Sequence, residues 1–391
     1  MWKDVPYVIL SILIALVLLS LHFPVQGAEL VSGAGATSHV EFGYTSNGTD
    51  SGIGEPDLFI HHVETLEIAS EAGATALRGS LWGEETRFRE QDIENDQALG
   101  LSFALGQQLS PELVLRGSVS MMAANTGDDW NLAGFYIATR TPSLSADAMV
   151  EAILTLQGTE LRGKVSLGGH RYGAASFPGL PLDPFKLQAD DTRYGFEVRL
   201  RQSIGPVIGL AALEGEAVEI SQDDQQQLGR LPGSKLRGSL GVEIKIGGAT
   251  LTGEGGGVLA WADGQQLVRP YGKLRVAAAL TDALSVEAAA GTHLELVDNL
   301  DAAGSFDRRL ALAVAYALAP GLSVTASAER TDRVGLLDSA VTSGESVFGL
   351  GLEHELSGQL SYNVRVSRTL HEDFAERYRK DEFVLGVTGS I

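Results

Sequence analysis

The 391-residue sequence contains no cysteine, so no disulfide can support its fold. A secreted soluble β-protein of this size could well carry disulfides. A closed sheet, in which every strand is hydrogen-bonded to two neighbours, needs none. The absence therefore favours a closed β-barrel over a disulfide-supported soluble domain.

Long apolar runs are also nearly absent. The only one, at residues 7–21, is shorter than the ~20 residues that a membrane-spanning helix usually needs. Pro24 and a small-residue pattern at 25–28 follow it, which is typical of a signal peptide. We therefore expect a signal peptide at 1–27 and a single mature domain at 28–391. An uncleaved anchor is the alternative, because the segment before the run carries little net positive charge.

Motifs of catalysis and cofactor binding are missing as well. Among the eight histidines, no pair has the four-residue spacing with an intervening Glu that a zinc protease helix requires. No glycine-rich phosphate loop opens a helix, and the net charge of −21 disfavours nucleic acid. We expect no enzyme, metal or cofactor. Only His170, near Arg171 and the acidic pair 190–191, suggests a hydrolase at the rim of a barrel.

What the chain does contain is a repeat of about ten alternating residues followed by a turn. In Lys235–Ile246, charged or small residues occupy the odd positions and mainly large apolar residues the even ones. Because successive side chains of a strand point to opposite faces, one face is charged and the other apolar. Short turns alternate with longer polar loops between these segments. This is the pattern of a transmembrane antiparallel β-barrel, here of about 16–18 strands.

The end of the chain shows the same alternation. Apolar residues or glycine occupy every second position from Phe383 to Ile391. This pattern resembles the C-terminal signature of Gram-negative outer-membrane proteins, although those usually end on Phe or Trp. The resemblance implies an outer-membrane location and recognition of the last strand by the outer-membrane assembly machinery. It is to a broad porin-like class and identifies no single family.

One segment, Ser145–Gln157, interrupts the alternation. A candidate N-cap at Ser145, early acidic residues and the lack of a turn signal predict a short amphipathic helix near 145–157, or else an extra paired strand. Twelve predicted strands follow it. A helix leading into a twelve-stranded barrel at 161–391 resembles an autotransporter translocator or adhesin, with a small passenger at 28–140. This is the alternative to a porin.

The face opposite the large apolar residues predicts the function. It carries many basic residues and fewer acidic ones, whereas the acidic residues concentrate in the loops. A barrel of this size encloses an aqueous channel, so we expect a passive diffusion channel whose basic lumen favours small anionic or polar solutes. The alternative is that inward Arg and Glu residues pair across strands and fill a narrow barrel, which would be a closed structural protein or an assembly factor. The predicted pore-lining residues are Arg162, Lys164, Arg193, Arg199, Arg201, Arg237, Lys245, Lys273, Arg275 and Arg365.

A long loop at 171–193 is the candidate constriction. Its rigid, apolar centre resembles in position the loop that general porins fold into the lumen, although that loop is usually the third connection and this one is the fourth. An ordered surface loop is the alternative. The predicted constriction residues are Phe177, Pro178, Pro181, Asp183 and Phe185. The expected partners are outer-membrane lipid, lipopolysaccharide bridged to the acidic loops by divalent cations, and small solutes. The sequence leaves a monomer and a homotrimer as alternatives.

Overall fold

The computed structural model describes residues 31–50, 54–132, 135–297, 300–373 and 376–391. The predicted signal peptide at 1–27 lies outside this range. Within the range, eighteen antiparallel strands form one sheet, with one seven-residue helix and a single 3-10 turn at Asp92–Glu94. No helix in the described part of the chain is long and apolar enough to span a membrane.

The strands are β1 (Val31–Thr45), β2 (Asp57–Ala72), β3 (Thr75–Phe88), β4 (Asp96–Gln108), β5 (Leu113–Leu132), β6 (Phe135–Leu156), β7 (Thr159–Tyr172), β8 (Asp191–Ile204), β9 (Val207–Ile220), β10 (Gly233–Ile246), β11 (Ala249–Ala262), β12 (Gln265–Ala279), β13 (Leu284–Leu296), β14 (Gly304–Ala319), β15 (Leu322–Gly335), β16 (Thr342–Ser357), β17 (Leu360–Asp373) and β18 (Arg377–Ser390). The helix α1 (Gln222–Leu228) follows β9.

The sheet closes on itself through β1 and β18. Their ladder runs from Thr37 opposite Ser390 to Thr45 opposite Glu382. Ile391 extends it, because its N–H donates to the carbonyl of Ala36 at 3.0 Å. The sheet therefore has no open edge at its two ends, which confirms the predicted barrel and the upper estimate of its strand number.

The two faces of the wall differ as the alternation predicts. Large apolar side chains point outward and stay exposed, such as Leu240 at 72% and Leu350 at 61%. Residues that lie opposite each other in a ladder point to the same face of the sheet. Arg237 and its ladder partner Glu214 form an ion pair, and both lie on the inner face. An apolar outer belt around a polar interior is the arrangement of a barrel that spans a membrane.

Connections at the two rims differ in length. The short rim has turns at 73–74, 109–112, 157–158, 205–206, 247–248, 280–283, 320–321 and 358–359. The long rim has connections at 46–56, 89–95, 133–134, 173–190, 221–232, 263–264, 297–303, 336–341 and 374–376. The connections at 133–134, 263–264 and 374–376 are as short as the turns, whereas the other long-rim connections are longer than any short-rim turn, as the alternation of short turns and longer loops predicts. Four long-rim loops matter below: L4 (173–190), L5 (221–232), L7 (297–303) and L8 (336–341).

The predicted helix at 145–157 is wrong. These residues belong to β6, which pairs with β5 and β7 along its length. Ala146, Ala148 and Val150 take the outer face, while Asp147 and Glu151 take the inner one. Alanine, Met and Glu favour helices only by fractions of a kcal/mol, and two flanking ladders outweigh that preference.

The twelve-stranded alternative is also wrong. The strands β1–β6 are part of the same closed wall as β7–β18, and β1 lies between β2 and β18. A barrel made of residues 161–391 alone would require β18 to pair with β7, which it does not. The strands β1–β6 are wall strands rather than a separate passenger.

The wall bends into the lumen at the long-rim ends of β13, β14 and β15. We call the long rim the upper end of the barrel. Lys235 Nζ, on the inner face of β10, donates to the carbonyl of Leu294 on β13 at 2.7 Å. In the wall, β11 and β12 separate these strands, so the contact requires upper β13 to lie inside the barrel. Leu294 (2% exposed) and Leu296 (0%) pack there in a buried apolar cluster.

That cluster joins two sides of the structure. The inner faces of β9, β11 and β12 supply one side, and the bent strands with L7 and L8 supply the other. Burial of their apolar side chains stabilises the bend, because it removes them from the aqueous lumen. The cluster consists of Val218, Val258, Ala260, Ala262, Tyr271, Leu294, Leu296, Ala303, Phe306 and Leu336.

Candidate functional site: a constriction in the lumen

Asp301 organises the loops at the bend. Its carboxylate accepts hydrogen bonds from the backbone N–H groups of Ala303 and Gly304 in its own turn, at 2.6 and 3.1 Å. It also accepts from Leu337 at 2.7 Å and Asp338 at 3.2 Å in L8. One carboxylate thus satisfies four donors and joins L7 to L8. Charge-assisted bonds of this kind are stronger than neutral ones.

L5 contacts the same turn from the opposite side. Arg230 Nη1 donates to the carbonyl of Asp301 at 2.7 Å, and the N–H of Leu231 donates to Ala302 at 2.9 Å. α1 lies just before these residues, with Ser221 as its N-cap and Gly229 in the left-handed conformation at its end. L5 and L7 are therefore held together within the long-rim half of the barrel.

Asp224 of α1 holds the end of L4. Its carboxylate, 4% exposed, binds Lys186 Nζ at 2.8 Å and accepts from the N–H of Asp190 at 3.0 Å. Burial acts to raise the pKa of Asp224, but Lys186 and the N–H donors outweigh it and hold the pKa below its ordinary value. L4, L5, L7 and L8 thus form one connected set of loops.

A cavity of about 550 Å³ lies between these loops and the wall. Its lining comes from β7, the end of L4, β8 and L5 on one side, and from β13, L7, β15, β16 and β17 on the other. The lining residues are Tyr172, Gln188, Ala189, Asp191, Arg193, Arg230, Glu295, Val297, Leu300, Arg333, Ser343 and Asp373. Since opposite sides of the wall meet around it, this cavity marks a constriction of the lumen.

The constriction is lined by charges of both signs. Asp191 pairs with Arg193 at 3.0 Å and with His170 at 3.1 Å. Arg333 lies 3.7 Å from Asp307. Guanidinium groups and carboxylates thus lie close together around the cavity, in a space where low-dielectric walls strengthen their fields. The suggested rim group at His170 thus forms part of an ion-pair network beside this cavity.

The predicted pore-lining residues all lie on the inner face, as the ladder registers show. Most have a carboxylate neighbour there, which is the pairing of inward Arg and Glu that the closed-barrel alternative expects. The ion pairs are Arg162–Glu151 (3.4 Å), Lys164–Glu197 (3.1 Å), Arg193–Asp191 (3.0 Å), Arg199–Glu197 (2.7 Å), Arg201–Glu243 (2.8 Å), Arg237–Glu214 (2.5 Å), Arg275–Glu287 (2.8 Å) and Arg365–Glu41 (3.5 Å). Lys273 faces Glu254 across the β11–β12 ladder, and Lys245 lies opposite Thr250.

Charge on the inner face divides between two sides. On β7–β12, which we call the basic side, cations outnumber carboxylates, and nine of the ten predicted pore-lining residues lie there. On the described parts of β13–β18 and β1–β6, the acidic side, carboxylates outnumber cations. The acidic side includes Glu41, Glu67, Glu84, Asp96, Asp147, Glu151, Glu287, Glu295, Asp307, Glu329, Glu345, Glu353, Asp373 and Glu382.

The predicted constriction residues lie in the central part of L4. Phe177 is buried and its ring stacks on Phe185 with centroids 4.7 Å apart, while the N–H of Ala175 donates to the carbonyl of Phe185. Leu180, Leu182 and Phe185 are exposed. Pro178, Pro181 and Asp183 belong to the same segment. The residues of L4 that line the cavity are Gln188 and Ala189, at its end, so a constricting role for 177–185 stays a prediction.

The sequence analysis missed the second group of constricting residues, on β13, L7 and L8. The alternation assigns large apolar residues such as Leu294 and Leu296 to the outer face, and Asp301 is one of the acidic residues of the loops. The alternation itself could not reveal that the whole strand end leans inward.

No protein family and no curated protein matches the chain. Solved structures match by fold. A mutant of the ferric enterobactin receptor PfeA of Pseudomonas aeruginosa has 10% identity and a TM-score of 0.53, with 93% of this chain and 81% of that one covered. The siderophore receptor PirA of the same organism has 10% identity, a TM-score of 0.50 and coverages of 92% and 81%. Its outer membrane protein opdK has 12% identity, a TM-score of 0.47 and coverages of 92% and 98%.

At such identities the likeness concerns the fold. The closed ladder, the apolar outer belt and the likeness to the two receptors give the chain the fold of an outer-membrane β-barrel, the class that the C-terminal pattern resembles.

Proposed function

We propose that the protein is a passive diffusion channel for small polar solutes, and that its basic side favours solutes carrying an anionic group. The observation that carries the proposal is the constriction, where Arg193 and Arg230 face Glu295 and Asp373 across one cavity. A barrel of this strand number is wide enough for an aqueous lumen. The bent strands and loops narrow that lumen to the size of a small solute.

Selectivity in this proposal arises from a field across the lumen. Cations of the basic side attract the anionic group of a solute, and carboxylates of the acidic side attract any positive group it carries. Because most inner-face cations are already paired, we expect attraction to come from the excess of cations over carboxylates rather than from each cation singly.

The test is the reversal potential of single channels in a planar bilayer under a salt gradient. We expect the triple variant Arg199→Glu, Arg237→Glu, Arg275→Glu to shift selectivity several-fold toward cations without loss of the folded barrel. All three side chains lie on the inner face, and each pairs with a carboxylate there.

Arg330→Glu is the matched control, since Arg330 lies on the outer face and pairs with Asp332. It should leave the reversal potential unchanged. An unaltered potential in a folded triple variant would reject the role of the basic side, and absence of conductance in the wild type would reject the channel.

A further inference from the structure

The ladder between β12 and β13 stops halfway up the wall. It joins Lys273–Ala279 to Ser285–Gly291 in seven residue pairs, whereas every other neighbouring pair of strands has at least nine. β12 continues upward beside β11 to Gln265, and β13 continues beside β14 to Leu296. The described wall therefore has a seam between the upper halves of β12 and β13.

Pro270 accounts for the end of the ladder. The carbonyl of Pro270 points toward β13, since it accepts from Thr292 Oγ1 at 3.2 Å. Its nitrogen points the same way and has no hydrogen to donate, so regular pairing cannot continue there. Side-chain hydrogen bonds of Thr292 take the place of the missing backbone hydrogen bonds, because its hydroxyl also accepts from the N–H of Gly272 at 3.0 Å.

Above Thr292 the two strands separate in depth. β13 turns into the lumen, where Leu294 is buried, while β12 stays in the wall and keeps Val268 exposed at 67%. Trp261, on the neighbouring strand, is also exposed on the outer face at a similar height. The seam thus lies beside apolar outer residues, within the upper part of the membrane-facing belt.

A groove of about 970 Å³ runs along the outer face across this seam. Its floor includes Gly253, Gly255 and Gly272. A Cβ atom added to either Gly255 or Gly272 would meet no atom within 4 Å. Leu240 and Leu274 flank it, and its lining also includes the inner-face residues Glu254, Lys273 and Arg309. The groove therefore combines apolar outer walls with contributions from the lumen side of the sheet.

One end of the groove is basic. Arg308 lies on the outer face of β14, beside Thr292, and is exposed. Among the described residues its guanidinium has no ion-pair partner. Asp332 lies opposite Arg308 on β15, but its carboxylate binds Arg330 at 2.8 Å. The groove thus has apolar walls that can hold one acyl chain, and a cation without an ion-pair partner, Arg308, at its upper end.

We propose that the seam is a lateral portal, through which an amphiphile with one acyl chain and an anionic head passes between the lumen and the outer leaflet. The acyl chain lies over the glycine floor and the head group binds Arg308. Movement of upper β13 away from β12 opens the route, and the Thr292 hydroxyl and the buried Leu294 and Leu296 close it. The proposal goes beyond the diffusion channel and uses a different path.

The experiment uses the full-length protein in phosphatidylcholine vesicles with palmitic acid that carries a terminal diazirine. After illumination, labelled residues are mapped by mass spectrometry. We expect adducts on both sides of the seam, at Leu274 and Leu310 outside and at Glu254 and Tyr271 inside. Adducts on the outer face alone, or spread evenly around the belt, would show ordinary annular lipid contact and overturn the portal.

Two variants sharpen the test. Gly272→Leu places a side chain in the groove at a position where an added Cβ atom meets open space, and we expect it to lower labelling of Glu254 and Tyr271 several-fold. Gly163→Leu is its control, because Gly163 lies on the outer face of β7, also with open space at its Cβ position. Thr292→Val removes the bridging hydroxyl, so it should increase the inner labelling. Equal inner labelling in Gly272→Leu and Gly163→Leu would contradict the portal.

Single-channel conductance separates this proposal from the diffusion channel. Gly272→Leu should conduct like the wild type, because the groove is not part of the axial path. If the wild type conducts but carries no inner labels, the portal is contradicted and the diffusion channel is supported. If inner labels appear but the wild type does not conduct, the diffusion channel is contradicted and the portal is supported.

Discussion

The basic side, β7–β12, and the acidic side, made of the other strands, follow the same alternation but differ in inner-face charge and in shape. The strands of the basic side stay in the wall. On the acidic side, the upper ends of β13–β15 lean across the lumen. Because of that lean, Glu295 reaches the same cavity as Arg193. The comparison teaches that the chemistry at the constriction depends as much on the bend as on the charges.

The largest effect is expected from breaking the apolar contact between the two sides. Leu296 is fully buried between them, so Leu296→Ala should weaken the bend by about 2–5 kcal/mol, the usual range for a buried leucine. We expect higher conductance and frequent transitions between conductance levels in planar bilayers. Leu356→Ala, exposed on the outer face near the short rim, is the control. Identical traces for both variants would show that the bend does not set the constriction.

Removal of the Asp301 carboxylate should have the next largest effect. Asp301→Ala leaves four backbone donors without their acceptor, and each buried unpaired donor costs about 1–3 kcal/mol. We expect faster hydrogen exchange in L7 and L8 together with noisier channels. Asp338→Ala is the matched control, because the Asp338 side chain accepts from Ala340 within L8 itself. Equal exchange rates in the two variants would contradict the joining role of Asp301.

Reversal of a single charge on the acidic side sharpens the comparison of the two sides. Glu295→Lys places a cation opposite Arg193, so we expect reversal potentials to shift toward anion preference, opposite in sign to the triple arginine variant. Glu355→Lys is the control, since Glu355 is an exposed inner-face residue near the short rim, away from the constriction. A shift of equal size in both variants would show that selectivity is not decided at the constriction.

The smallest effect concerns pH and the link between L4 and α1. Since the pKa of Asp224 is lowered in the folded state, its stabilising contribution is complete above the unfolded value of about 3.9 and is lost as the pH falls through the folded value. We expect amide protection at 186–190 to be constant from neutral pH down to about 5 and to fall below about 4. Asp224→Asn should show reduced protection without this pH dependence. A wild type that keeps its protection at pH 3 would contradict the link.

The outcome at β6 shows how local and tertiary information compete. Residues 145–157 carry helix-favouring side chains, and their alternation is weak because half of the outward positions are alanine while Met149 and Ile153 face inward. Two neighbouring ladders supply backbone hydrogen bonds over the whole segment, which a lone amphipathic helix at that position would have to replace. Where outward-facing residues are small, hydrophobic alternation does not reveal that the segment is a strand.

The position of the constriction shows a second limit. The apolar composition of segment 177–185 of L4 is unusual for a loop, and it led to the prediction of a constriction there. The buried cluster that narrows the barrel is formed by Leu294, Leu296 and Phe306, which read as ordinary wall residues. Whether an apolar strand residue faces lipid or a folded lumen cannot be told from period two, since both environments favour the same side chains.

By itself the sequence determined the barrel, its approximate strand number, the rims and the inner face of the ten predicted pore-lining residues, because period two and turn chemistry are local properties of the chain. Only the tertiary structure decided which carboxylate pairs with each cation, how charge divides around the lumen, and where β12 and β13 part. Those features depend on the register between strands distant in sequence and on the packing of bent strand ends, which no single segment encodes.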